Sequence, residues 1–194
     1  MSAKNYYQKL FEIAESQAGY FSSKQAEKVG YSRPNLLYQT ERGKFARIAS
    51  GIYRINLFPN SPYEDLFIAL LKSGDRAVVS HDSALSVYDL SDSLPGEIHI
   101  TVPRTSSRRR KGIKYHTKSI TDNEITVYQG LKVTTVPRTI IDLIGSGYDP
   151  IQLKKAIIEA CNLGFTTEEK LLLRAEKKSA SIQKKMNLYL TKQI

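Results

Sequence analysis

At 194 residues with 41% apolar side chains, the chain is sized for one large domain or two small ones with real hydrophobic cores. Its 29 Lys and Arg against 19 Asp and Glu give a net charge of +10, a balance that favours a polyanionic partner. One cysteine, Cys161, excludes an internal disulfide, and no stretch approaches 18 apolar residues, so a soluble cytoplasmic protein is expected.

The charge is segregated. Residues 1–60 carry nine basic and four acidic side chains, residues 61–100 two and seven, and residues 101–194 eighteen and eight. An acidic segment between two basic ones suggests two units rather than one uniformly positive globule. The stretch "NLFPNSP" (Asn56–Pro62) has two prolines, two asparagines and a serine and reads as a linker. The expected division is a DNA-binding domain over 1–60 and a second domain over 61–194.

In chain order, Tyr7, Leu10, Phe11, Ala14 and Ala18 fall at helical spacing, and Gly19 supplies a stop. Ser22 or Ser23 can cap a second helix with Ala26 and Val29 inward, ended by Gly30. Ser32 caps a third, Pro34 is tolerated in its first turn, and Gly43 follows its end near Arg42. On it Leu36, Leu37 and Thr40 share the expected inner face, while Asn35, Tyr38, Gln39 and Arg42 share the outer one. Three short helices with a glycine in the second turn form a helix-turn-helix, whose second member enters the major groove by its N-terminal end. "KFARIASGIYRI" adds a hairpin around Ala49–Ser50–Gly51, a wing. Asn and Gln bond adenine edges bidentately and Arg bonds guanine or phosphate. The pattern therefore assigns Arg33, Asn35, Tyr38 and Gln39 to the groove, and Lys44, Arg47 and Arg54 to the backbone. A three-helix core with a polar solvated face, or a winged helix used only for protein contacts, fits the same pattern.

Beyond residue 60, "PYEDLFIALLKSG" is a helix, "RAVVS" a buried strand, "HDSALSVYDLSD" a helix and "EIHITVP" a half-buried strand with Ile98, Ile100 and Val102 inward. "RTSSRRRKGIKYH" interrupts the sheet. Its Arg108, Arg109, Arg110 and Lys111 are candidate phosphate contacts, because adjacent cations repel until a polyanion neutralises them; a solvated loop is the alternative. "EITVYQGLKVTTV" is a hairpin about Gln129–Gly130, and "PRTIIDLIGSG" a helix. The tail is helical, with Asp149 and Pro150 at one start, Thr166 and Glu169 as a capping box at the next, and a final stripe of Ile182, Met186, Tyr189 and Leu190. The fold class is α+β: a winged helix-turn-helix, then a mixed α/β domain with a helical tail.

Catalytic signals are weak. Metal-dependent nucleases of the restriction type carry Glu-x-Lys on a strand, whereas Glu168-Glu169-Lys170 and Glu176-Lys177-Lys178 lie in helical sequence. His81, His99 and His116 are far apart in the chain without metal-ligand spacing, Cys161 sits on an apolar stripe, and no phosphate-binding glycine loop occurs. No catalytic residue, cofactor or metal is expected.

"GYSRPNLLYQTERGKFARIASGIYRI", then "VVSHDSALSVYDLSDSLPGEIHITVPRTSSRRRKGIKYH" and "GLKVTTVPRTIIDLI", together resemble the AbiEi-type antitoxins from about Phe21 to Ile144. The resemblance implies a bacterial type IV antitoxin linked to abortive phage infection. Its winged domain represses its own operon at inverted repeats, and its C-terminal domain counters a nucleotidyltransferase-like toxin without a stable complex. It places recognition-helix contacts on Ser32, Arg33, Asn35, Tyr38 and Gln39, with Arg42 on the same face, and wing contacts on Arg47 and Arg54. The wing departs from the family's more basic versions at Ala46, Ala49 and Ser50. The rival class is a nucleic-acid-processing enzyme with a winged-helix targeting module.

Overall fold

The computed structural model describes residues 3–91, 96–103 and 110–191. Among them the chain forms two compact units, residues 1–77 with 129–131, and residues 78–128 with 132–194.

The first unit runs α1 (Ala3–Glu15), β1 (Tyr20–Ser22), α2 (Ser23–Lys28), α3 (Arg33–Glu41), β2 (Phe45–Ala49), β3 (Ile52–Ile55) and α4 (Glu64–Ser73). Its antiparallel sheet has the order β1-β3-β2, the helix-turn-helix-plus-wing arrangement. The strand β1 is an addition to the sequence reading, and α1 stops at Glu15, ahead of the glycine. Side-chain alternation across this sheet decides what each face carries. Phe21, Tyr53, Phe45 and Ile55 share one face by register, and Leu10, Ala14, Ala26, Tyr31 and Leu36 close a core over it. Phe21 meets Phe45 edge-on at 5.1 Å, and Tyr31 meets Phe45 at 5.9 Å. Tyr20 and Arg54 are cross-strand partners on the opposite face, where Phe67 of α4 stacks on Tyr20 at 5.0 Å.

This second face is why α4 belongs with the wing. Tyr20 Oη also donates to Glu64 at 2.8 Å. The proline-containing stretch 56–62 is correspondingly tied down. Asn56 N donates to Lys44 O at 3.0 Å, and the Phe58 ring lies 5.3 Å from Phe11. A Cβ on Gly19, held at φ +90°, would meet Phe58 at 2.5 Å. Gly30 turns α2 into α3 at φ +106°, where a Cβ would fall 2.8 Å from the Tyr6 ring.

The second unit contains β4 (Val78–Val79), α5 (His81–Val87), β5 (Ile98–Val102), β6 (Ile113–Thr117), a 3-10 turn (Asp122–Glu124), β7 (Ile125–Tyr128), β8 (Leu131–Thr134), α6 (Val136–Ser146), α7 (Pro150–Asn162), α8 (Glu168–Lys178) and α9 (Ala180–Thr191). The sheet order is β6-β5-β4-β8-β7, with β4 antiparallel to β5 and parallel to β8, and β5 parallel to β6. Two sequence expectations change here. The tail of "RTSSRRRKGIKYH" is not an interruption: Ile113–Thr117 is the edge strand β6, paired along β5. The His99/Thr101 side of β5 is not solvated, because α5 lies against that strand and leaves Thr101 buried.

The helices start where their caps predict, with one shift. Asp149 accepts from Gln152 N at 2.8 Å, but α8 is capped by Thr167, whose hydroxyl accepts from Lys170 N at 3.3 Å. Thr166, expected as the cap, is buried. Cys161 is half-buried, and its thiol is pushed up by burial and by Glu168, which suits packing rather than nucleophilic work.

Candidate nucleic-acid interface

The helix α3 is short and displays nearly all it carries. Ser32 Oγ accepts from Asn35 N at 3.3 Å, Pro34 sits in the first turn, and Arg42 forms the C-cap. Leu36 is its one buried side chain and pins it to the core. Leu37, read from the sequence as inward, is 59% exposed. The Tyr31–Phe45 cluster takes Leu36, and Thr40, one turn on, is half-buried on the same side. Arg33, Asn35, Leu37 and Tyr38 therefore form the outer surface.

These side chains differ in how free they are. Arg33 is 3.8 Å from Glu27, an exposed pair that constrains it little. Arg42 donates to Tyr38 Oη at 2.6 Å, and its guanidinium lies 5.4 Å from that ring, so the two move as one polar–aromatic unit. Ser32's hydroxyl is engaged in the cap. Gln39 is half-buried, with Oε1 sealed from solvent and unbonded among the described residues. Asn35 is presented outward; Gln39 is presented only in part.

On the wing the sheet register separates two arginines grouped together from the sequence. Arg47 pairs with Tyr53 and so projects on the helix side of the sheet, exposed, just before the irregularity between Arg47 and Ala49. Arg54 pairs with Tyr20 and Ala46 on the opposite face. Its guanidinium lies 5.8 Å from the Tyr20 ring and donates to Asn60 Oδ1, and its Nε is sealed. Lys44 is exposed beside the Tyr7 ring at 6.0 Å. Arg33, Lys44 and Arg47 are exposed cations, whereas Arg54 is built into the sheet. Of the basic run in the second unit, Arg108 and Arg109 lie outside the described residues, while Arg110 and Lys111 are exposed.

The second unit brings together a group that linear spacing scattered. His81 opens α5, His99 lies on β5 and His116 on β6. The rings of His81 and His116 stack at 3.5 Å, and His99 lies 5.9 Å from the first and 5.1 Å from the second. Only the parallel β5–β6 register, which sets His99 beside Lys114 and Thr101 beside His116, reveals the cluster. Burial holds His81 down to about 3, reinforced by His116 and Lys118 and opposed by Asp142. Burial, then His99, Lys118 and Lys114, holds His116 to about 4 against Asp142, and burial lowers His99 against Asp82. At neutral pH all three imidazoles are uncharged.

That state has a stability consequence. Between pH 6.5 and about 4 an unfolded chain binds protons that the native cluster refuses, so stability is full above 6.5 and declines as pH falls. Asp142 and Glu124 are also held below their ordinary range. Burial pushes both up, but Arg138 outweighs it at Asp142, and the Thr121 backbone with Arg138 outweighs it at Glu124. Their contribution is lost only at more acid pH, which leaves the window from pH 6.5 to 5 to the histidines. Urea midpoints measured in chelator should fall between pH 7.5 and 5, and the fall should shrink in His116→Gln.

Among the described residues no helix is long and apolar enough to cross a membrane. No curated protein matches the chain. The fold is similar to the crystal structure of the RV2827C protein from Mycobacterium tuberculosis, at TM-score 0.53 and 13% identity over 96% of this chain and 76% of that one. Residues 8–56, which hold α2, α3 and both wing strands, match the family described as "Transcriptional regulator, AbiEi antitoxin".

Proposed function

We propose that the protein is the antitoxin of a type IV toxin–antitoxin system and the repressor of its own operon. The observation that carries the DNA-binding part is the outer surface of α3. Arg33 and Asn35 stand exposed at the helix's N-terminal end, with Leu37 and the Tyr38–Arg42 unit one turn on. An Arg–guanine or Asn–adenine pair is the chemistry such a surface offers a major groove, and Leu37 suits a thymine methyl. Lys44, exposed beside the Tyr7 ring, and Arg47, exposed on the wing, supply phosphate neutralisation. Double-stranded DNA bearing inverted repeats in the operon's own promoter is the substrate of this surface. The second unit would counter a nucleotidyltransferase-like toxin by acting on its target or product, in the cytoplasm and without a lasting complex, as part of abortive phage defence. It is not an enzyme in this reading: Glu-x-Lys occurs only on α8, away from any strand.

Promoter binding tests it by gel shift. Arg33→Ala and Asn35→Ala should each weaken operator binding by about 1–3 kcal/mol with an unchanged melting curve. Arg47→Ala should reduce the slope of log K against log salt by about 0.9, the value of one phosphate contact, while Arg54→Ala leaves that slope unchanged. Undiminished affinity in both α3 variants would remove this helix from the groove. Metal-dependent cleavage of DNA would instead favour a processing enzyme.

A further inference from the structure

We propose that His81, His99 and His116 form a three-imidazole binding site for a divalent transition-metal ion of the zinc class. One ring nitrogen from each lies within 4.8 Å of the other two. The nitrogens sealed from solvent with no partner among the described residues are His81 Nε2, His99 Nδ1 and His116 Nε2, one per ring. A buried ring nitrogen with nothing to bond is costly, and three rings that each carry one, clustered in one place, call for a shared occupant.

The surroundings hold the rings as a metal site holds them. His81 adopts φ +51°, a left-handed conformation that is strained for a residue with a Cβ. Its Nδ1 meets Ser80 Oγ at 3.0 Å, and Ser80 Oγ accepts from Thr101 Oγ1 at 2.8 Å. A ring that donates Nδ1–H to Ser80 keeps its lone pair on Nε2, the outer hydrogen bond that fixes a ligating tautomer. His99 N donates to Ser83 Oγ at 2.9 Å, which fastens β5 to α5 beside the site. Negative charge is at hand: Asp82 Oδ1 is sealed and unbonded among the described residues, its carboxylate acts electrostatically on His99, and Asp142 acts on His81 and His116. Lys114 and Lys118 oppose a cation, but Lys118 is engaged with Asp142 at 3.1 Å.

The donor set selects the ion. Three neutral imidazoles with no thiolate suit zinc, copper, iron or nickel and are poor ligands for magnesium or calcium. Three protein ligands leave a fourth position for water. Metal–nitrogen bonds of about 2.0–2.1 Å put tetrahedral nitrogens roughly 3.3 Å apart, so binding draws the ligands together and splays the stacked His81 and His116 rings. The bound ion would join α5, β5 and β6, fixing the two strands that flank the basic segment.

The experiment uses untagged full-length protein stripped with chelator. The chain has three histidines in all, so their ring signals in a nitrogen-correlated NMR spectrum report the site directly. All three should shift together and saturate at one equivalent of Zn2+, and Co2+ should give tetrahedral d–d bands without thiolate charge transfer. His99→Gln and His116→Gln, each checked for folding by circular dichroism, should lower Zn2+ affinity at least tenfold, while Cys161→Ser leaves it unchanged. Ring signals that stay in place at one equivalent of Zn2+ would overturn the site and leave a metal-free stack of neutral rings; that measurement requires no variant to fold. Full affinity in both histidine variants would overturn it equally. Promoter binding by α3 is measured separately and does not depend on this result.

Discussion

Arg138→Ala should lower the unfolding free energy by about 3–5 kcal/mol, the cost of stripping one partner from a buried ion pair. Arg138 lies in α6 with 4% of its surface exposed. Its Nε donates to Asp142 Oδ2 at 2.7 Å, one helical turn on, and its Nη1 donates to Glu124 Oε2 at 2.6 Å. Glu124 is also paired with Arg174 of α8, and Asp142 with Lys118. Truncation leaves Asp142, 1% exposed, with a half-exposed lysine as its sole ion-pair partner among the described residues. Lys118→Ala should cost far less, under about 1 kcal/mol, because its 38%-exposed side chain is solvated in both states. Urea titration with equal m values for all three proteins decides the matter. An Arg138→Ala protein within 1 kcal/mol of the parent would show that Asp142 is compensated by other means.

The contrast between α3 and this network explains what could be read in advance. Ser32, Pro34 and Gly43 act through caps and backbone preferences within a few residues of themselves, so α3 and its outward Arg33, Asn35 and Tyr38 follow from local rules. The strand β1 did not. It is three residues long and exists because Tyr20–Ser22 pairs with β3, thirty or more residues away. The two arginines of the wing look equivalent in "KFARIASGIYRI", and only the strand register sends Arg47 to the helix face and Arg54 to the face of Tyr20. Leu36 and Leu37 are adjacent apolar residues, and nothing local says which one the core accepts. The same limit hid the histidines, which sit on α5, β5 and β6 and meet through a parallel register that no hairpin specifies. Arg138 and Asp142 carried a helical i, i+4 spacing in the sequence, but their burial depends on Glu124 reaching α6 from a distant turn.

Deleting residues 1–74 should abolish specific promoter binding while leaving antitoxin activity, and the place of the cut matters. A cut at residue 60, where the proline-containing stretch invites it, would leave α4 without the sheet it packs on. Phe67 is 2% exposed because it stacks on Tyr20, and Glu64 accepts from the Tyr20 hydroxyl. Freed of β1, that helix would present Phe67 to water and invite aggregation, and a failed rescue would then say nothing about function. Removing residues 1–74 takes α4 away with its sheet and leaves three residues ahead of β4. That lead-in is needed because β4 sits in the middle of the second sheet, paired with β5 and β8. The remaining 120 or so residues are enough for an independent core. Operator affinity should drop to the nonspecific level, a loss of about 4 kcal/mol or more, because the proposed base contacts all belong to α3. Cells expressing the partner toxin should still grow when they carry the 75–194 fragment, and the toxin should not co-purify with it. A folded fragment that fails to rescue would defeat the division of labour between the units. A stoichiometric complex with the toxin would leave that division standing but replace action on the toxin's target with direct capture.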